Sequence, residues 1–163
     1  MSDDTKPRPY APRVFLVVVD ESVEMPVALY YASRRAQRTG GRVALLRVMP
    51  REETHGLASV AALIREEARQ EAEQLLQRLA RNVIEVTAAI PVVYLREGSL
   101  RDELIQLINE DPTISILVLA AGTGPEGPGP LVSYLAGKAV ARLRIPVTIV
   151  PGSLTHEQID DIG

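Results

Sequence analysis

The residues best suited to chemistry in this chain form the segment Gly122-Thr-Gly-Pro-Glu-Gly-Pro-Gly-Pro130. It follows an apolar run, Ile114-Ser-Ile-Leu-Val-Leu-Ala-Ala121, and precedes a stretch from Leu131 to about Arg144 that reads as helix. Strand, glycine loop and helix N-terminus are the arrangement by which α/β proteins hold phosphate, because backbone N–H groups and the positive end of the helix dipole converge there. Gly122, Gly124, Gly127 and Gly129 permit close backbone approach. Pro125, Pro128 and Pro130 each remove a donor, Glu126 adds a negative charge, and no Lys or Arg lies between Arg101 and Lys138. Gly122 to Gly127 also spells G-x-G-x-x-G, but the prolines delay the helix, and a dinucleotide fingerprint belongs at the first strand–helix turn. The segment therefore reads as a flexible loop.

Other chemically capable residues are sparse. Asp20 ends the first apolar run, where an acid can cap a helix, solvate a turn or touch a ligand. His55 and His156 are isolated in polar segments and read as surface residues. No Ser/His/Asp arrangement and no pair of metal ligands at helical spacing is visible. The chain has no cysteine, which excludes disulfides and thiol chemistry and fits a reducing compartment. A net charge of −3 provides no basic field for nucleic acid. No apolar run approaches the ~18 residues of a membrane span, and the N-terminus lacks an apolar signal core. The expectation is a soluble cytoplasmic protein with no nucleic-acid or membrane partner.

The elements that must position these residues are legible from periodicity. The 163 residues favour one domain, and at 46% hydrophobic but 4% aromatic its core must be aliphatic. Residues 1–12, polar and proline-rich, read as a flexible arm, and 152–163 as a polar C-terminal tail. Val14-Phe-Leu-Val-Val-Val19 is apolar throughout, as in a central parallel strand buried on both faces. Ser22 is the expected cap of a helix reaching about Thr39, with Pro26 in its first turn and Gly40-Gly41 as its stop. Arg42–Val48 is the second strand. Leu57–Asn82 is a long helix whose Val60, Ile64, Ala68, Ala72, Leu75, Leu76 and Leu79 face inward. Its Arg and Glu residues between Arg65 and Arg81 read as a solvated face. Pro91 marks the third strand as an edge. Ser99 is the expected cap of a third helix, Leu100–Glu110. A fourth strand, the glycine loop, a fourth helix and the strand Pro146–Val150 follow. Five strands alternating with four helices imply right-handed β-α-β units and a parallel sheet covered on both faces.

In these features the sequence resembles the universal stress protein family over residues 13–151. The likeness rests on Asp20-Glu-Ser before Ala28-Leu29, on Arg47-Val48 with Pro50, on Arg96-Glu-Gly98-Ser99, and on the apolar strand, glycine loop and helix leading to Pro146-Val147. The resemblance implies a single-domain, Rossmann-like α/β fold with an open parallel five-stranded sheet in the order 3-2-1-4-5. It also implies a homodimer through the last strand, Val147, Thr148, Ile149 and Val150, whose apolar edge would otherwise be exposed. In the nucleotide-binding branch ATP sits at the carboxyl ends of strands one and four, a switch point of the sheet.

The family motif there is Gly, two residues, Gly, nine residues, then Gly-Ser or Gly-Thr. By residue type Gly124, Gly127 and Gly137-Lys138 match, but Gly137 stands nine residues before Pro146 and is expected mid-helix. Counting back from Pro146 puts Ser133 or Tyr134 at the final glycine and Ala120 with Thr123, or Ala121 with Gly124, at the first pair. On that count the motif is degraded. The residues implied at the nucleotide are Asp20, Val48 at an adenine pocket, Ala121, Gly122, Gly124, Gly127, Ser133 and Tyr134. Val48 serves equally as core, and Ser133 equally as a first-turn polar residue.

The reading is a dimeric regulatory or stress-response module without catalysis and without a required cofactor. The alternative is an ATP- or AMP-binding switch or slow ATPase. An α/β enzyme of the electron-transfer flavoprotein-like or nucleotidylyl-transfer kind shares the topology but finds no catalytic residues here.

Overall fold

The computed structural model describes residues 12–51 and 57–163. The N-terminal arm up to residue 11 and His55 therefore lie outside the described residues.

Strand β1 (Val14–Val18) is buried at every position. It pairs in parallel with β2 (Arg42–Met49) on one side and β4 (Ile114–Ala121) on the other. β3 (Val92–Glu97) and β5 (Val147–Pro151) complete the sheet in the order β3-β2-β1-β4-β5. The all-apolar run at 14–19 thus occupies the centre, and Pro91 precedes an edge strand, as its missing N–H requires.

Alternation along the strands builds two aliphatic cores. Phe15, Val17, Val43 and Leu45 pack against α1 (Met25–Thr39) and α2 (Ala58–Thr87), meeting Ala28, Ala32, Leu76, Leu79 and Val83. Leu16, Ala44, Leu46 and Leu117 pack on the other face against Leu104, Leu107 and Ile108 of α3 (Leu100–Glu110) and Leu135 of α4 (Pro130–Ala136).

Several elements depart from expectation. Ser22 does not cap α1. Its amide and its hydroxyl both donate to Asp20 Oδ1, at 3.0 and 2.6 Å, and the helix begins three residues later at Met25. The side chain closes a local turn with the neighbouring acid in preference to the helix end. Gly40 does stop the helix, in the left-handed conformation at φ 70°. Ser99 takes the cap position of α3 without a side-chain bond.

Helix α2 runs five residues past Asn82, to Thr87. Of the expected inward set, Val60 and Ile64 are 51% and 38% exposed, and burial begins only at Ala72. The reason is length. A helix of 30 residues spans about 45 Å, whereas a strand of eight covers about 26 Å, so the N-terminal half of α2 overhangs the sheet.

The fourth helix is not continuous. α4 ends at Ala136, Gly137 takes a non-helical conformation (φ −91°, ψ −140°), and a short 3-10 helix follows at Lys138–Arg142. Gly137 is therefore a junction and not the mid-helix residue expected from its distance to Pro146.

The polar segment 152–163 carries a further helix, α5 (His156–Ile162). Thr155 and Gln158 close its N-terminus with a reciprocal capping box, and Ile159 is fully buried. Tyr30 of α1 donates to Asp160 at 2.7 Å, Arg34 Nε pairs with the same oxygen at 2.7 Å, and Arg38 donates to the Asp160 and Gly163 carbonyls. His156 is exposed, but its ring stacks on Tyr30 at 3.8 Å. Two apolar residues in seven, Ile159 and the exposed Ile162, were too weak a signal for this docking to be read from sequence.

Ile159→Ala should lower the unfolding free energy by about 2–5 kcal/mol in urea denaturation. An unchanged midpoint would mean that α5 does not belong to the cooperative unit. The pH dependence follows from two contacts. Arg34, then Tyr30, hold the Asp160 carboxyl below its usual range. Its contribution is complete above the unfolded value near pH 3.9 and lost as pH falls through the folded value. Burial, then the bond to Asp111, pushes Tyr94 up to about 12. That contribution is present below the unfolded value of about pH 10 and lost as pH rises towards the folded one. Denaturation midpoints measured across pH should show both edges, and Asp160→Asn should soften the acid one.

Candidate functional site

The sheet reverses its direction of winding between β1 and β4, and their carboxyl ends open a crevice there. A cavity of about 270 Å³ lies in it, lined by Asp20, Glu24, Met25, Leu100, Leu131 and Val132 among others. A shallower cavity of about 610 Å³ continues outward along Gly122, Thr123, Gly124, Glu126 and Gly127.

The loop is folded on itself. Gly122 N–H donates to the Pro128 carbonyl at 2.9 Å, and Gly127 N–H to the Gly124 carbonyl at 2.9 Å. A Cβ on Gly127 would stand 2.0 Å from the Gly122 carbonyl oxygen, so only glycine closes the loop this tightly. A Cβ on Gly124 would meet nothing within 4 Å. Pro125, Pro128 and Pro130 have no N–H to offer.

The expected site residues divide. Asp20 lines the crevice, with its carboxylate already accepting twice from Ser22. Ala121 forms the root of the loop, its carbonyl accepting from Gly152 N–H at 2.8 Å. Gly122, Gly124 and Gly127 border the outer cavity. Val48 lies one strand away in the buried core at 8% exposure and lines neither cavity. Ser133 is exposed on α4 and lines neither cavity, while its amide donates to the Gly129 carbonyl at 3.0 Å. Tyr134 also stands outside both. Its ring lies 4.4 Å from the Arg101 guanidinium and its hydroxyl accepts from Arg142 at 3.1 Å.

Glu24 belongs to the site and was not expected there. Its carboxylate is 3.3 Å from where a Cβ on Gly122 would sit and 4.0 Å from that of Gly129, and its own Cβ is 2.9 Å from that of Gly152. It therefore projects beneath the glycine loop. As an isolated acid just before a proline-initiated helix, it reads in sequence only as a first-turn charge. With Asp20 and Glu21 it makes the crevice acidic, and among the described residues no Lys or Arg lines either cavity. Among the described residues, no group of three or more His, Asp or Glu side chains is placed to hold a metal ion. No helix among them is long and apolar enough to cross a membrane.

The family profile described as the universal stress protein family matches residues 12–151. The chain belongs to the universal stress protein family. Solved members share its fold at low identity. Universal stress protein UspA from Lactobacillus plantarum aligns with 21% identity and a TM-score of 0.70, over 85% of this chain and 97% of that one. The universal stress protein from Archaeoglobus fulgidus, solved in complex with dAMP, aligns at 16% identity and 0.58, over 86% and 98%. A family member from Arabidopsis thaliana, solved with AMP bound, aligns at 13% identity and 0.56, over 86% and 92%. No sequence relative of curated function matches the chain.

The family's glycine motif sits differently on the structure than on the sequence. Because Gly137 ends α4, the residue-type match Gly124, Gly127 and Gly137-Lys138 now falls at loop, loop and helix junction.

Gly127→Ala should cost about 1–3 kcal/mol through forced opening of the loop, whereas Gly124→Ala should stay within about 0.5 kcal/mol. Urea denaturation of the two variants measures both. Equal effects would contradict the closed loop.

Proposed function

We propose that this universal stress protein is a dimeric regulatory or stress-response module that carries out no catalysis and does not hold a triphosphate nucleotide. The observation that carries this reading is the Glu24 carboxylate beneath a loop whose Gly122 and Gly127 amides are already bonded within the loop. Phosphate binding needs convergent free donors and positive charge. Here three prolines remove donors, and Asp20, Glu21 and Glu24 line the crevice with carboxylates. A phosphate brought near them meets like charge in a partly desolvated site.

The dimer forms through the outer edge of β5. Among the described residues this strand pairs only with β4, and Ile149 is 40% exposed on it. An unpaired apolar edge of Val147, Thr148, Ile149 and Val150 is a template for a second copy.

A second reading, a nucleotide-dependent switch, is favoured by one observation. Gly137-Lys138 stands at the head of the 3-10 helix with the family's spacing from Gly124 and Gly127. Lys138 would then supply the cation that the loop lacks. Neighbours of this fold solved with dAMP and AMP lend that reading its ligand class.

Isothermal titration separates the two. The proposal expects no heat with ATP and Mg²⁺ or with AMP up to millimolar concentration. Micromolar binding, lost in Lys138→Ala and in Gly124→Asp, would replace it with the switch. Sedimentation should show a dimer, and Ile149→Lys should convert it to a monomer with an unchanged circular dichroism spectrum. A monomer before substitution would remove the edge-pairing part of the proposal.

A further inference from the structure

Strand β2 breaks its own pattern on the face that packs against the long helix. Val43 and Leu45 on that face are 1% and 0% exposed and belong to the core shared with α1 and α2. The next position on the same face is Arg47, a charged residue where alternation calls for an apolar one. Its side chain is only 21% exposed. Among the described residues, the buried Nε has no hydrogen-bond partner. One terminal nitrogen donates to the Val19 carbonyl at a long 3.3 Å, and the other stands 3.9 Å from a Glu21 carboxylate that is 87% exposed. A guanidinium has five N–H donors in a fixed fork; here Nε is shut off without a partner among the described residues, and the two terminal nitrogens reach only long contacts. Burial of that kind is costly unless a partner completes it.

Arg47 faces a cavity. A volume of about 240 Å³ lies between α2 and the carboxyl ends of β2 and β3. Its apolar lining includes Met49, Pro50, Ile64, Ala68, Ala72 and Leu75. Among the described residues its remaining charges are Glu21, Arg65, Glu71 and Glu97, with Arg65 and Glu97 opposed at 3.8 Å. This size lies just below the range of about 300–1,000 Å³ typical of small-molecule sites. The cavity is on the opposite face of β2 from Val48, and among the described residues it shares only Glu21 with the crevice at β1 and β4.

We propose that this cavity is a second binding site, which takes a small apolar monocarboxylate. The carboxylate pairs with the two terminal nitrogens of the Arg47 fork, which hold only long contacts otherwise, a bidentate geometry that arginine is built for. The apolar body lies against Ile64, Ala68 and Leu75 and covers part of the α2 face that the sheet leaves open. One negative charge is the limit, because Glu21, Glu71 and Glu97 surround the mouth and oppose a dianion or a phosphate. The site does not depend on the glycine loop, so it stands or falls separately from the nucleotide question.

The test uses the full chain at neutral pH with decanoate, decanol and decylamine as probes, read by isothermal titration. Decanoate should saturate one site per chain and bind at least about tenfold tighter than decanol, equivalent to about 1.4 kcal/mol, with decylamine weaker still. Arg47→Met should bring decanoate to within about twofold of decanol, and Arg47→Lys should recover only part of the preference, because a lysine presents a point charge and not a fork. Ala68→Phe should block decanoate by filling the cavity. Millimolar ATP should leave decanoate binding unchanged, whatever its own affinity. Three outcomes overturn the proposal: no preference for decanoate over decanol in the unsubstituted protein, a preference that survives Arg47→Met, or undiminished binding in Ala68→Phe. The first needs no variant and holds even if Arg47→Met does not fold.

Discussion

Burial of β1 on both faces is the constraint on which the rest of the molecule depends. Phe15 and Val17 look one way, Leu16 and Val18 the other, and none is more than 5% exposed. A strand of this kind cannot sit at an edge or face water. It needs a partner strand on each side and a helical layer on each face, which β2, β4, α1 with α2, and α3 with α4 supply. The aliphatic composition suits this demand. With one Phe and no Trp, the layers close through small and branched side chains, and Ala28, Ala32 and Ala36 let α1 lie close to the sheet.

The same constraint creates the crevice. Once β1 is central and its two neighbours are reached by crossovers that leave in opposite directions, their carboxyl ends must part. What fills the gap is then a matter of local chemistry. In this protein the glycine loop closes on itself, prolines remove donors, and Glu24 enters from the start of α1. Architecture thus supplies a place for an anion, while the residues at that place make it acidic. Fold and function separate at this point.

A length mismatch has a comparable consequence on the other side of the sheet. Helix α2 is longer than any strand it covers, so its N-terminal half extends past the core with Val60, Leu63 and Ile64 partly exposed. The space between this overhang and the ends of β2 and β3 is where Arg47 breaks the apolar pattern. Two irregularities with separate causes, one of helix length and one of residue type, meet in one cavity.

The sequence by itself determined the position along the chain and the type of the five strands, the centrality of 14–19 and the edge position of β3. These rest on patterns that survive in one dimension: an unbroken apolar run, a proline before a strand, alternating strand and helix periods. It also carried the family likeness and the glycine loop. The stop of α1 at Gly40 and the span Leu100–Glu110 of α3 were also readable, whereas tertiary structure decided where α1 begins, where α2 and α4 end and what each helix touches. The Asp20–Ser22 turn competed with capping, α2 outran the sheet, and Gly137 broke a helix that spacing alone made continuous. Ile159 became core because α1 offered Tyr30, Arg34 and Arg38 to the residues around it. Glu24 and Arg47 entered their cavities because neighbours distant in sequence enclosed them. Propensity and periodicity are local quantities, whereas burial, enclosure and the satisfaction of a charge depend on which distant segments arrive beside it.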